Sequence, residues 1–281
     1  MIKISKEKVL LLDIKQPFAH YREPKVMQND YIPTLNLPPV TTVAGMISYL
    51  TDRKLKSKYK IGIVGKYKNK INEFVRGEYG KFFSDYQNLL TKQSKKINKE
   101  KGFKMFEVAQ FYNYHKKSYG NRIMHFETLQ EVELKIFLST EDNELVKNSL
   151  ETPSKYLSLG RKEDFIMPSQ KGDSFVKEVE IDTVYIENKK EAIKNDLIFK
   201  NTYVPVNIKS DSSRYIMQQG VLYSLPKKYK DFNAEKQDRV IEYGHYVYLN
   251  DEGCYIPDIE TNIFRKKDKN GNDENILFTW L

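Results

Sequence analysis

Glu131-Val132-Glu133-Leu134-Lys135-Ile136-Phe137-Leu138 places Val132, Leu134, Ile136 and Leu138 on one side of an extended chain and Glu131, Glu133, Lys135 and Phe137 on the other. A period of two marks a strand, because successive side chains point to opposite faces. The strand runs from about Met124 to Ser139. After it, Asp142 can cap a short helix carrying Leu145, Val146 and Leu150,. A loop from Pro153 to Lys162 follows, then a further alternation at Val179, Ile181, Thr183 and Tyr185.

Upstream, Val9-Leu10-Leu11-Leu12-Asp13-Ile14 is a continuous apolar run suited to a central strand buried on both faces,. If the strand continues through Phe18-Ala19-His20-Tyr21-Arg22, then Phe18, His20 and Arg22 share one face,. Thr41 or Thr42 is a good N-cap for a helix whose Val43, Met46, Ile47 and Leu50 form one apolar stripe,. Gly45 weakens that helix but permits close backbone approach,. Ile61, Ile63 and Val64 mark the next strand. The order is β-α-β, an insertion over residues 66–120, then β-α-β. That is the split order of a ferredoxin-like α+β domain, the scaffold of RRM-type RNA binders. The insertion reads as a hairpin or arm with a short helix around Gly80 to Leu90. The domain so read covers residues 1–190, and residues 191–281 form a β-rich C-terminal extension. Within the extension, Lys266 to Glu274 reads as a turn or loop.

Charge is distributed unevenly. Residues 53–122 hold 19 basic against 5 acidic residues, a net charge of +14, while the whole chain of 281 residues carries only +9. Part of the lysine count follows from the Lys, Asn, Ile and Tyr excess of an AT-rich genome. Self-repulsion in such a cluster is relieved by solvent or by a polyanion, and nucleic acid is the common polyanion. Tyr59, Tyr67, Phe74, Phe103 and Tyr119 are among the aromatics interleaved with these lysines. Bases stack on such rings while lysines hold the backbone.

Other chemistries are excluded or weak. The single cysteine, Cys254, excludes an internal disulfide, and the four histidines have no ligand spacing, so no metal and no cofactor is expected,. The first apolar run is too short for a signal peptide, and no 18-residue apolar stretch exists,. The expectation is a soluble, cytoplasmic protein with no membrane partner. No Walker loop, GxSxG or HExxH is present. His115 and Lys116 beside Tyr112 and Tyr114 are the one arrangement suited to metal-independent RNA cleavage, with His as base and Lys stabilising the phosphorane,. Gly160-Arg161-Lys162 is an anion-binding candidate, because glycine exposes backbone and arginine grips phosphate bidentately,.

Three segments together carry a resemblance. They are Phe18-Ala19-His20-Tyr21-Arg22-Glu23-Pro24, Thr34-Leu35-Asn36-Leu37-Pro38-Pro39-Val40-Thr41-Thr42-Val43-Ala44-Gly45-Met46, and Tyr156-Leu157-Ser158-Leu159-Gly160-Arg161-Lys162-Glu163-Asp164. In this order they resemble CRISPR-associated Cas family 5, the RAMP-superfamily subunit of type I Cascade complexes, and the lysine-rich style looks most like the type I-B branch. The resemblance covers roughly the first 165 residues. It implies a ferredoxin-like domain whose insertion is a β-hairpin thumb. It implies a subunit that binds the 5′ handle of crRNA, caps the backbone subunits, touches the large subunit and meets target DNA only through the complex. It lends an RNA-binding role to the Thr41-Thr42 helix start and to Gly160-Arg161, and with the charge pattern the expected RNA-binding set is His20, Arg22, Thr41, Thr42, Gly45, Lys104, Arg122, Gly160, Arg161, Lys162 and Arg214. It implies no catalytic residue, since His115-Lys116 reverses the Lys-then-His order of the RNA-cleaving type I-C branch. Two alternatives are a metal-independent crRNA-processing endoribonuclease of the same superfamily and a generic basic protein that binds single-stranded RNA.

Overall fold

The structure, a computed structural model, describes residues 2–23, 31–54, 58–77, 122–169, 174–209, 212–233, 238–267 and 273–281. The chain is mostly antiparallel sheet with four short helices among the described residues. In chain order the elements are β1 (Ile2–Ala19), β2 (Tyr31–Ile32), α1 (Val40–Leu50), β3 (Tyr59–Lys66), β4 (Asn69–Gly77), β5 (Arg122–Thr140), α2 (Asn143–Glu151), β6 (Met167–Pro168), β7 (Val176–Ile186) and α3 (Lys189–Lys194). There follow β8 (Thr202–Pro205), α4 (Ser212–Met217), β9 (Val221–Asn233), β10 (Asp238–Leu249), β11 (Ile259–Lys267) and β12 (Asp273–Phe278).

The chain divides into two compact units. The first holds Met1–Pro24, Thr34–Ile71 and Thr128–Leu281, so it takes in residues on both sides of position 190. Its strands run β12-β11-β7-β1-β5-β3-β8-β10-β9. The four strands expected first in the sequence, β1, β3, β5 and β7, are neighbours in the order β7-β1-β5-β3, each antiparallel to the next. Strand β4 pairs with β5. The second unit holds Lys25–Pro33 and Asn72–Glu127. Among its described residues, β2 pairs in parallel with β5 at Tyr31 and His125, and the Phe74 ring tilts against His125 at 4.6 Å.

Strand β1 is central because it is apolar on both faces. Leu10, Leu12 and Ile14 join Ile61 and Ile63 of β3, Leu134, Ile136 and Leu138 of β5, and the apolar sides of α1 and α2. Val9 and Leu11 face the other way, toward Phe137, Ile181, Ile276 and Phe278. The Phe137 and Phe278 rings stack at 4.0 Å. A Cβ on Gly62 would stand 2.2 Å from the Phe278 ring, so only glycine admits that ring against β3. The main-chain N–H of Leu281 donates to the Ile61 carbonyl at 3.0 Å. The β11–β12 hairpin thus covers the side of β1 away from the helices. A third cluster joins Val184 and Ile186 of β7 to Ala192, Phe199, Val204, Val247 and Leu277.

Three details differ from expectation. Helix α1 begins at Val40 with Pro39 at the N-cap, not at Thr41 or Thr42, because the Pro39 carbonyl already accepts from the N–H groups of Thr42 and Val43. Gly45 is exposed and no described atom lies within 4 Å of where its Cβ would stand, so it permits no close approach among the described residues. Lys266 and Lys267 continue β11 and pair with Glu274 and Asp273 of β12, so the ends of the expected loop are strand, and residues 268–272 lie outside the described residues. The helix expected around Gly80 to Leu90 lies outside the described residues. No helix among the described residues is long and apolar enough to cross a membrane.

Candidate nucleic-acid interface

Beyond Ala19 the chain leaves the β1 ladder, and the alternation of faces ends with it. Phe18 and Arg22 are exposed, whereas His20 is 3 % exposed. The expected common face of Phe18, His20 and Arg22 is therefore not formed. The main-chain N–H of His20 donates to Asp164 Oδ2 at 2.9 Å. Asp164 is buried, and it also accepts from the main-chain N–H of Arg161 at 2.8 Å and from Arg161 Nη2 at 2.9 Å. Arg161 Nε lies 3.2 Å from Asp164 Oδ1. The guanidinium that the sequence offers to a phosphate is thus clasped by a carboxylate three residues on. This clasp satisfies a buried charge, which would otherwise be strongly destabilising.

Gly160 supplies the turn. Its φ of +112° is disfavoured for residues with a Cβ, and an added Cβ would meet Asp164 Oδ2 at 2.8 Å and the His20 carbonyl at 2.9 Å,. On its other side Gly160 is exposed, beside exposed Lys162. The second segment of the resemblance arrives at the same place. The Tyr21 N–H donates to Thr34 Oγ1 at 2.8 Å, and the Leu35 N–H donates to the Tyr21 carbonyl at 2.8 Å. Burial, then the Asp164 carboxylate, pushes the Tyr21 phenol up, so it stays protonated and donates to Gln16 Oε1. Gln16 Nε2 in turn donates to the carbonyls of Leu159 and Asp164 at 2.8 and 3.0 Å. The three segments meet in one knot centred on Tyr21, Thr34 and Asp164.

Beside the knot lies a groove of about 520 Å³ lined by Lys15, Gln16, Pro17, Lys66, Tyr67, Lys68, Glu131, Val132, Glu133 and Met167. Glu131 lies at it: its φ of 50° is left-handed, and the β1–β5 ladder skips one pair there, opposite Pro17, which has no N–H to give, before resuming in register at Phe18 and Gln130,. The β3–β5 ladder ends at Lys66 and Glu133, and the next bond is Lys68 N–H to the Gln130 carbonyl at 3.0 Å. Lys15 and Lys66 lie 3.0 and 3.6 Å from Glu133, and Lys68 lies 2.8 Å from Glu131. Burial raises the Glu133 carboxyl, but Lys15, with Lys66 and Lys135, outweighs it and holds the group below its ordinary value.

The structure therefore joins His20, Gly160 and Arg161, with Arg22 and Lys162 exposed on the same segments. Thr41 and Thr42 stand in the first turn of α1, shortly after Leu37, whose carbonyl accepts from the Tyr203 hydroxyl at 2.9 Å. Gly45 is on the exposed side of the same helix. Arg214 is on α4, whose Ile216 packs into the third cluster, and is not part of the knot. Arg122 begins β5, and Lys104 lies outside the described residues, as do Tyr112, Tyr114, His115 and Lys116. Gln16, Asp164, Glu131 and Glu133 had no assigned role in the sequence. Gln16 had a signal: it occupies the apolar parity of Leu10, Leu12 and Ile14. Among the described residues, no group of three or more His, Cys, Asp or Glu could hold a metal ion.

The model of one family, described as CRISPR-associated protein (Cas_Cas5), matches residues 9–235. No curated protein matches the chain. Among solved structures, the chain is similar to one titled "CRISPR RNA-guided surveillance complex", at 10% identity and TM-score 0.42, covering 89% of this chain and 92% of that one. It is similar to "Crystal structure of Cas protein" at 12% identity and TM-score 0.39, covering 90% and 99%. A CRISPR protein from Archaeoglobus fulgidus matches at 9% identity and TM-score 0.37, covering 98% and 100%.

Proposed function

The chain belongs to the CRISPR-associated Cas5 family, and from that premise we propose that it is a non-catalytic, crRNA-binding subunit of a type I, I-B-like, Cascade complex. In this reading it holds the 5′ handle of crRNA, caps the backbone filament and touches the large subunit. The observation that carries the reading is the knot: the three segments of the family resemblance, far apart in sequence, are tied together by Asp164, Tyr21 and Thr34. Around it stand cations suited to phosphate, Arg22 and Lys162,. The order β7-β1-β5-β3 supports a ferredoxin-like domain, and the pairing of β4 with β5 supports a thumb between them. Single-stranded RNA suits such a site, because unstacked bases expose readable edges.

The test is affinity of the full chain for a repeat-derived 5′-handle RNA over a range of salt. Arg22→Ala and Lys162→Ala leave the Asp164 bonds intact, so they probe contact without disturbing the fold. Each is expected to weaken binding and to reduce the salt slope by about one counterion. Unchanged affinity and slope in the double variant would remove this surface from the RNA site.

A further inference from the structure

We propose that the groove at Glu131 and Glu133 reads the base of one unstacked guanosine in the bound RNA, an inference that rests on the RNA-binding reading above. A groove that only held phosphate would gain from lysines and lose from carboxylates. This one sets two carboxylates among three lysines: Glu133 between Lys15 and Lys66, and Glu131 beside Lys68. An ionised carboxylate accepts hydrogen bonds only, at about four lone-pair positions. Among the described residues Lys15 and Lys66 are the cations within 4.0 Å of Glu133, at separate oxygens, so lone pairs on both oxygens remain for a ligand. The Watson–Crick edge of guanine presents O6, N1–H and N2–H in a row. Its two donors match the two oxygens of a carboxylate, and its O6 matches an adjacent ammonium. Adenine and uracil each offer only one donor on that edge and leave the second oxygen unmatched. Cytosine also offers a single donor, its N4 amino group.

Size and walls agree. About 520 Å³ lies within the range of small-ligand sites, and Met167, Pro17, Val132 and Tyr67 supply apolar wall against which a base face can lie,. Cations on both sides suit the flanking phosphates. The left-handed Glu131 interrupts the pairing on both sides of β5, and backbone held in such a region is commonly found where a site needs it,. Gln16 lines the groove and donates to the carbonyls of Leu159 and Asp164, so the groove adjoins the loop that carries Gly160 and Lys162.

The experiment uses the full chain and a set of eight-nucleotide RNAs: oligouridine, oligouridine with one guanosine moved through the eight positions, and the best of these with inosine, adenosine or cytidine in place of guanosine. At one position guanosine is expected to bind roughly tenfold tighter than adenosine or uridine. Inosine, which lacks the N2 amino group, should fall between them. Glu133→Gln should abolish the preference while binding of oligouridine is retained or tightened, and Lys66→Ala should reduce the salt slope. Glu131→Gln serves as a second probe, with the melting temperature of each variant checking the fold. Equal affinity for all bases at every position, or a guanosine preference that survives in both Gln variants, would overturn the inference and leave the RNA-binding reading standing. Failure of the wild-type chain to bind any of these RNAs at low salt would overturn both.

Discussion

Asp164 Oδ2 lies 2.9 Å from the main-chain nitrogen of His20 and 2.8 Å from that of Arg161. One carboxylate therefore joins the end of the first strand to a loop 144 residues further on. The anion-binding appearance of Gly160-Arg161 is, in the folded chain, first a structural joint.

Replacing Asp164 by Ala should cost roughly 2–4 kcal/mol, because two main-chain donors lose their acceptor and the partly buried Arg161 keeps only the exposed Glu163, 3.4 Å from its Nε,. Arg161→Lys keeps the charge but not the fork, and should cost about 1–2 kcal/mol. Urea unfolding measures both; a wild-type midpoint in Asp164→Ala would show that the joint contributes nothing.

Gly160→Ala forces a Cβ toward the His20 carbonyl at 2.9 Å with φ at +112°. The expected loss is about 1–3 kcal/mol. Handle-RNA affinity should fall with it, since the loop carries Lys162. Retained stability and retained binding together would show that the loop relaxes freely.

Gly62→Ala meets the Phe278 ring at 2.2 Å. It should destabilise by about 1–3 kcal/mol through overpacking. In a Phe278→Ala background the same substitution should cost much less, and a double-mutant cycle reads the difference. Additive costs would place the strain elsewhere.

Burial raises the Asp182 carboxyl, but Lys3, 2.6 Å away, and Arg265 outweigh it and hold the group below its ordinary value. A carboxylate with a lowered folded-state pKa stabilises the fold above its unfolded value, near 4. That stability is lost as pH falls through the folded value. Acid unfolding of Asp182→Asn should therefore show a shallower pH dependence below about pH 4 than wild type. Identical acid limbs would mean the Lys3–Asp182–Arg265 cluster carries no pH-linked stability.

Incubated with repeat RNA in EDTA, the full chain is expected to yield no cleavage product. Product at enzyme excess, lost in His115→Ala, would transfer the function to the His115–Lys116 alternative.

The elements that were legible in the sequence are those whose periodicity is fixed by a single buried face. Val132, Leu134, Ile136 and Leu138 announced β5, and Val43, Met46, Ile47 and Leu50 announced α1. The helix start was misread because threonine competes with proline for the cap, and the Pro39 carbonyl is already placed to accept two N–H groups. The position of Phe278 against Gly62 was not legible, since a contact across 216 residues leaves no local pattern. Arg161 was legible as a functional-looking residue but not as a clasped one. Its partner is only three residues away, yet the Asp164 carboxylate is also bound by the main-chain N–H of His20, 144 residues upstream. Glu131 and Glu133 read only as the side of a regular strand opposite Val132 and Leu134, and the left-handed turn at Glu131, which places them in the wall of a groove, leaves no mark in that alternation.

The covering of Val9 and Leu11 by Ile276 and Phe278 has a consequence for biosynthesis. Residues 9 and 11 leave the ribosome long before Ile276 and Phe278. At about 5–20 residues per second, that interval is on the order of tens of seconds. Throughout it Val9 and Leu11 lack the part of their cover that Ile276 and Phe278 supply, an apolar surface open to misassociation until the β11–β12 hairpin emerges,.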